Sequence, residues 1–264
     1  MAIVLIAWSF SFPQSKPGAR QVALAHSSIS FDNDAFSLFN NPSGLSLIDN
    51  REIGFYFSPA PFGMKELSNA FGVYCEPTNF GSFGAGFSTY GFELYRETSI
   101  AIGFAKKINN TFYAGGSIYY RNISIKNYGN SGAVIINAGA MLRINNEIGF
   151  GASIQNLTQS TVGNETDMLP TIISAGFHFQ FLDELLFAAA LEKETRFKPS
   201  LHFGTEYNPI EYLSLRVGAS NEPSTFSMGI GIHYNYFHFD YARSNNVDLG
   251  ISHQFTILIR FKND

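Results

Sequence analysis

The side chains best suited to chemistry lie at alternating positions in the last third of the sequence. They are carboxylates, arginines and histidines, which could form ion pairs, line a polar track or bind a ligand: Glu192, His202, Glu206, Arg216, His233, His238, Asp240 and Arg260, with His178 upstream. No His-x-His or His-Glu-x-x-His spacing occurs, so we expect no metal site and no cofactor. A structural network and a functional polar track both stay open as interpretations.

Catalysis has little support in the sequence. Ser252 and His253 are adjacent, and neighbouring residues of a strand point to opposite faces, so this pair cannot exchange a proton directly. A Gly-x-Ser-x-Gly nucleophile elbow is absent. We therefore predict that the protein is not an enzyme.

The composition indicates which kind of element positions these side chains. Of 264 residues, 45% are hydrophobic and 16% aromatic, but only 14% are charged, against roughly 25% in a typical soluble domain. Past residue 12 there is no apolar run of about 18 residues, which a membrane-spanning helix needs. A transmembrane β-barrel combines these features, because only every second residue of its strands meets lipid. The net charge of −4 gives no support for nucleic-acid binding.

A two-residue alternation of apolar with small or polar residues marks about fourteen strands. They are predicted near 52–58, 68–76, 81–89, 94–106, 111–126, 131–143, 147–156, 171–181, 184–193, 198–208, 212–220, 225–234, 237–243 and 248–261. Charged side chains share the polar face, which must point into the lumen because lipid excludes them. The sequence predicts short connections after strands 4, 6 and 8, and longer connections after strands 1, 3, 7 and 9. This alternation predicts an antiparallel up-and-down barrel in a bacterial outer membrane, with both termini in the periplasm.

The final strand resembles the aromatic-rich last strand of outer-membrane barrels. Phe255, Ile257, Ile259 and Phe261 share one face, and we interpret them as an assembly signal. The expected partners are accordingly outer-membrane lipid and the barrel-assembly machinery.

Three regions follow along the chain. Residues 1–14 read as a signal peptide with its true start upstream, because the apolar stretch Ala2–Phe12 has no basic residues before it; a buried first strand is the alternative.

Residues 15–50 do not alternate and are predicted to form a hatch, or plug, in the lumen of a barrel formed by 51–264. A loose periplasmic tail is the alternative, and it would expose Phe36, Leu38, Phe39 and Leu45. If the region is a plug, Arg20, Asp32 and Asp34 are candidates to pair with Arg216, Asp240 and Arg260.

The run GARQVALAHSSISFDNDAFSLFNNPSGL resembles the N-terminal signature of the PorV/PorQ family of outer-membrane proteins, usually GAR…A…DDA…NPAGL. The likeness continues at YRETSIAIGFAKKI, ASIQNL and LGISHQFTILIRF, and that family is itself similar to FadL/TodX-type channels. The resemblance implies a fourteen-stranded barrel with an N-terminal hatch. The hatch motif then comprises Asn41, Pro42, Ser43, Gly44 and Leu45, with Ser43 in place of the usual Ala. Asn33 replaces the first acidic residue of the DDA run.

Two functions remain open at this point. The resemblance implies either transport of hydrophobic compounds or an accessory role in type IX-like protein secretion, with small hydrophobic molecules or secretion-system proteins as partners. The alternative is a structural or partner-binding barrel that conducts nothing.

Overall fold

Strands form wherever the sequence alternates with a two-residue period. A computed structural model describes residues 16–162 and 168–261, so the predicted signal peptide lies outside the described residues. Each strand pairs antiparallel with its neighbours in sequence, and the first strand also pairs with the last. The sheet therefore closes into a fourteen-stranded barrel, and the predicted all-β fold class is confirmed.

The observed bounds lie within a few residues of those predicted. The strands are β1 Arg51–Ser58, β2 Asn69–Thr78, β3 Gly81–Gly91, β4 Tyr95–Lys107, β5 Phe112–Ile125, β6 Gly129–Arg143, β7 Ile148–Gln155, β8 Ile172–Leu182, β9 Leu185–Glu194, β10 Ser200–Ile210, β11 Leu213–Asn221, β12 Ser224–Tyr234, β13 Phe237–Asn246 and β14 Gly250–Phe261. Two short helices, α1 Ala19–Ala23 and α2 Ser37–Asn40, precede them, with 3-10 turns at Ser27–Ser30 and Pro42–Leu47. Two more 3-10 turns, Pro61–Gly63 and Lys65–Leu67, follow β1. Among the described residues, no helix has the length and apolarity needed to cross a membrane.

The two faces of the barrel wall differ as the alternation requires. In β12, Phe226 and Ile232 point outward and are about half exposed, whereas Ser227 points inward and is buried. The same contrast holds around the wall, because successive side chains of a strand project to opposite faces. The outer face is therefore largely apolar, which suits hydrocarbon rather than water.

The two ends of the barrel carry different connections. We call the end where β1 begins and β14 ends the terminal end, and the opposite end the loop end. Terminal-end connections are short, such as 183–184 and 235–236, whereas the two longest connections, 59–68 and 156–171, lie at the loop end. The expectation of a longer connection after β3 was wrong, since only 92–94 separate β3 from β4. Which end faces the periplasm stays a prediction.

Residues 16–50, which we call the N-terminal segment, pack against the inner wall. Helix α1 contacts β11 to β14, the Ser27–Ser30 turn contacts β7 to β10, and the Pro42–Leu47 turn contacts β3 to β6. Because these strands lie all around the wall, the segment occupies the lumen. Its apolar side chains Phe36, Leu38, Phe39 and Leu45 are buried. The role of the segment as a hatch stays a prediction.

Inward-facing glycines allow the backbone of the N-terminal segment to approach the wall. A Cβ at Gly115 would lie 2.6 Å from the carbonyl oxygen of Pro42, and one at Gly218 would lie 2.5 Å from the carbonyl carbon of Leu24. Real Cβ atoms essentially never approach backbone so closely, and only glycine lacks the atom. These wall glycines therefore provide the space that the segment fills.

Candidate functional site

An ion-pair network ties the N-terminal segment to the wall near the terminal end. Arg20 of α1 donates to both oxygens of Glu206 on β10, from Nε at 2.9 Å and from Nη2 at 3.1 Å. Arg216 of β11 donates from Nε to Glu206 at 2.6 Å and from Nη1 to Asp240 at 2.5 Å. Both carboxylates and Arg216 are buried. Arg216 thus bridges Glu206 and Asp240, while Glu206 links Arg20 to the wall.

A second wall carboxylate is bonded to the N-terminal segment nearby. Glu52 on β1 accepts from Arg260 of β14 at 2.6 Å and from the backbone N–H of Ala35 at 2.9 Å. Glu52 is not among the residues predicted from the sequence. Its position opposite Ile53 and Phe55 in the alternation of β1 marks it as an inward residue, and that signal could have found it.

The acidic residues of the N-terminal segment bond within the segment itself. Gln21 donates to Asp34 at 2.8 Å and to Asp32 at 3.3 Å, and Asp34 also accepts from the N–H of Phe36 at 2.9 Å. Burial and the neighbouring Asp34 charge raise the pKa of Asp32 to about 7. Burial likewise raises the pKa of Asp34, although the Arg20 charge opposes that shift. No described hydrogen bond or ion pair joins these two carboxylates to the lumen arginines, and Arg20 pairs with Glu206 rather than with Asp240.

The residues of the predicted hatch motif form a compact turn against the wall. Asn41 accepts from the Ser43 hydroxyl at 2.7 Å and donates to the carbonyl of Ile29 at 2.8 Å. Pro42 starts the 3-10 turn behind this cap, while Leu45 lies in the main apolar core. Gly44 packs directly against the Ser37 side chain, where a Cβ would clash. The motif therefore shapes the segment's own fold and its seat on the wall.

The histidines are dispersed rather than gathered. His178 bonds to Ser30 at 3.0 Å, and His202 Nδ1 lies 2.6 Å from the carbonyl of Ala25. His233 and His238 lie against each other with ring centroids 4.4 Å apart and ring planes tilted by 39°. No group of three or more metal-ligating side chains occurs in the described part of the chain.

Two of the cavities beside the N-terminal segment include residues of α1 in their lining. The terminal-end cavity, of about 280 Å³, is lined mostly by charged and polar groups, including Arg20, Glu206 and Arg260. The loop-end cavity, which we call the vestibule, has a volume of about 300 Å³ and includes Val22 and Tyr56 in its lining.

Loop and segment residues complete the vestibule. The 59–68 connection reaches over it, and the N–H of Phe62 donates to Ser252 on β14 at 2.9 Å. Lys16 pairs there with Glu192 of β9, and Ser174 donates to the same carboxylate at 3.0 Å.

The remaining predicted residues lie at the terminal-end cavity and on the outer face of β14. His233 and His238 line the terminal-end cavity, together with Asp240. The predicted assembly residues project outward from β14: Phe255, Ile257 and Phe261 are exposed, and Ile259 is half-buried. Their role in assembly stays a prediction.

Solved structures share this architecture. The toluene transporter TodX of Pseudomonas putida superposes with a TM-score of 0.74 at 14% sequence identity, covering 95% of this chain and 98% of that chain. The fold is that of TodX. A FadL homologue of Pseudomonas aeruginosa gives a TM-score of 0.67 at 13% identity, with 94% and 98% of the two chains covered. Acinetobacter baumannii Omp33 gives 0.52 at 9% identity, with 80% and 98% covered.

Sequence comparison does not assign the chain to a family. Neither a protein-family model nor a curated protein matches the chain. Identities of 9–14% show a common fold and no more. Membership of the PorV/PorQ family therefore stays a prediction.

Proposed function

We propose that the protein is an outer-membrane channel for small hydrophobic compounds, gated by its N-terminal segment. The apolar exterior, the closed barrel and the likeness to TodX and the FadL homologue support this proposal. Both barrel termini then lie in the periplasm, and the loop end faces the outside.

The observation that carries the proposal is the division of the lumen by the N-terminal segment. A partly apolar vestibule lies at the loop end and a charged cavity at the terminal end. An apolar compound entering the vestibule is favoured by burial of its surface, whereas the charged cavity beyond offers it no such gain. Passage therefore requires α1 and the turns beside it to move.

The contacts that hold the N-terminal segment suit a gate. Besides the Arg20–Glu206 pair, the Ala19 N–H donates to Thr256 of β14 at 2.9 Å. Tyr119 of β5 donates to the Leu38 carbonyl at 2.6 Å. These bonds are discrete and polar, so they can break and re-form without disturbing the strand ladder. The wall remains fixed while the segment moves.

A reversible cross-link between the N-terminal segment and the wall tests the gate. A Cβ on Gly204 of β10 would lie 2.3 Å from the Ser27 hydroxyl oxygen and 2.9 Å from the Leu24 carbonyl oxygen, so the segment must shift slightly from the wall to accept it. After that shift, Ser27→Cys with Gly204→Cys places two sulfur atoms within bonding reach. The only native cysteine, Cys75, is buried and is replaced by alanine in this variant. Proteoliposomes containing it are assayed for toluene influx before and after reduction.

The expected result is slow influx in the oxidised form and restoration on reduction. The two single-cysteine variants, treated identically, control for effects of oxidation elsewhere. Influx that is equal in the oxidised and reduced forms contradicts gating by the segment. If no form admits toluene faster than empty liposomes, the barrel is a non-conducting scaffold.

The secretion role implied by the family resemblance stays a prediction. None of the three similar structures described above is named as a secretion protein. Outer-membrane lipid and the barrel-assembly machinery are proposed partners on the strength of the apolar exterior and the final strand.

A further inference from the structure

Charged side chains at the outward positions of the strands are few and unevenly distributed. Near the loop end they are all cations: Arg96 on β4, Lys193 on β9 and Arg243 on β13. Among the described strand residues, the only outward carboxylate is Glu76, which lies at the terminal end and pairs there with Arg51. The strands therefore present positive charge on the outer face near the loop end, with no carboxylate on that face to balance it.

Arg243 belongs to a group of three polar side chains, which we call the outer polar cluster: Tyr241, Arg243 and His253. Arg243 of β13 is directly opposite His253 of β14, so their Cβ atoms lie about 4.5–5.5 Å apart. The Tyr241 hydroxyl lies 2.7 Å from His253 Nδ1, and the two rings stack with centroids 6.0 Å apart. The flanking Ala242 and Gln254 are buried on the inner face, so the cluster faces outward.

The outer polar cluster offers hydrogen-bond donors that no protein acceptor uses. Within the described residues, the Arg243 guanidinium forms no hydrogen bond or ion pair, and none joins it to Asp248 in the turn after β13. When the Tyr241 hydroxyl donates to Nδ1 of His253, the ring hydrogen lies on Nε2, which can then donate as well. A guanidinium binds two oxygens of a phosphate at once. The cluster therefore suits a phosphate group.

The surroundings of the outer polar cluster place it at the edge of the hydrocarbon. Phe255 and Ile257 continue the outer face of β14 toward the terminal end, and Met228 of β12 is opposite Arg243; all three are exposed and apolar. An arginine is costly at the bilayer midplane and costs little near the interface. Because β13 ends at Asn246, Arg243 lies close to the loop end, where lipid headgroups begin.

We propose that the outer polar cluster binds the phosphate of a lipid headgroup, and that this lipid is the phosphorylated glycolipid of the outer leaflet. The proposal rests on the outer-membrane location and orientation proposed above, in which the loop end faces the outside, but not on channel activity. Arg96 and Lys193 extend the positive charge around the same end of the barrel, and they attract further anionic headgroups.

Native mass spectrometry of the purified barrel in detergent tests the recognition of phosphate. The lipids compared are lipid A, lipid A from which the phosphates have been removed, and phosphatidylglycerol. We expect lipid A to bind about tenfold more tightly than its dephosphorylated form, because each hydrogen bond to a charged group adds to the affinity. Phosphatidylglycerol should bind more weakly than lipid A.

Variants assign this preference to the outer polar cluster. Arg243→Gln should remove most of the tenfold preference, and Tyr241→Phe should lower it less, because it removes only the hydroxyl bonded to His253. Lys106→Gln is the matched control, since Lys106 is also an exposed, outward cation but lies at the terminal end of β4. Its preference should not change. Heat-modifiable migration in electrophoresis selects the variants that fold.

The orientation is tested separately in intact cells. Val247 lies in the turn after β13 and Asp183 in the turn after β8, and both are exposed. Val247→Cys and Asp183→Cys, each combined with Cys75→Ala, are treated with a maleimide on a polymer too large to cross the outer membrane. We expect Val247→Cys to react in intact cells and Asp183→Cys to react only after lysis.

Several results would overturn the assignment. They are equal binding of lipid A with and without its phosphates, tighter binding of phosphatidylglycerol, a preference that survives in Arg243→Gln or falls equally in Lys106→Gln, and reaction of Asp183→Cys in intact cells. None of them bears on conduction, which the toluene influx experiment decides. A barrel that recognises lipid A through Arg243 and admits no toluene would retain this site and lose the channel function.

Discussion

Replacing Arg20 with methionine should release the N-terminal segment while leaving the barrel assembled. Methionine keeps an apolar stem over Phe31, whose ring centroid lies 5.4 Å from the Arg20 guanidinium carbon. The substitution removes two hydrogen bonds to Glu206 and one to Asn33. Removing one partner of a buried ion pair costs roughly 3–5 kcal/mol.

Two features of the site place the cost at the lower end of that range. Glu206 keeps its bond to Arg216, and the adjacent cavity of about 280 Å³ can admit water to the freed oxygen. We therefore expect docking of the segment to weaken by about 3 kcal/mol, which raises the undocked population about 100-fold.

Labelling of a cysteine in the N-terminal segment measures this population. Ser27 is fully buried, so in a Ser27→Cys, Cys75→Ala background a maleimide reacts only when the segment leaves the wall. The labelling rate should rise about 100-fold in Arg20→Met. Arg51→Met is the control, since Arg51 makes an equally bidentate pair with Glu76 at 2.6 and 2.7 Å but lies exposed. Exposed pairs are screened by water and salt, so its labelling should not change.

A labelling rate in Arg20→Met no faster than in its parent, with heat-modifiable migration that shows an intact barrel, would refute the role of the Arg20–Glu206 pair in docking. A rise of the same size in Arg51→Met would also refute it, because the effect would then be unrelated to the lumen.

Three further predictions concern the packing, the pH response and the outer face. Gly151→Val should weaken docking of the segment by about 2 kcal/mol, because the valine side chain would clash with the Ile29 backbone. Gly72→Val places its side chain on the outer face and should not weaken docking. The maleimide labelling rate checks both variants. Between about pH 4 and 7 the docked segment binds more protons than the undocked one, because the Asp32 pKa is raised to about 7, so labelling should accelerate as pH rises through this window. Asp32→Asn should remove that part of the pH dependence, and an unchanged profile would contradict the assignment. Ile230→Arg should block assembly, at a cost of roughly 2–4 kcal/mol near the membrane midplane, and normal migration of this variant would contradict a lipid-facing position.

The strand pattern could be predicted because its signal is local. Alternation in β12 follows from side-chain direction alone, and it placed His233 on the inner face. The same argument placed Arg216 and Asp240 inside the barrel, where both are buried.

The partners of these charges could not be predicted, because pairing depends on strand register and on where α1 sits across the lumen. Arg20 bonds to Glu206, 186 positions away, and nothing local to either residue specifies the other. The role of the wall glycines also could not be predicted from the sequence. Gly229 faces inward, and only the structure reveals that a Cβ there would lie 2.5 Å from that of Ala23.

Planar-bilayer conductance tests most directly whether the N-terminal segment closes the lumen. We predict that the full-length barrel is silent or conducts weakly, and that deletion of residues 16–47 produces a stable open pore. Should the deletion not assemble, the Ser27→Cys, Gly204→Cys variant replaces it, with rare openings when oxidised and more frequent openings when reduced. Equal conductance with and without the segment, or in the oxidised and reduced states, would contradict the account.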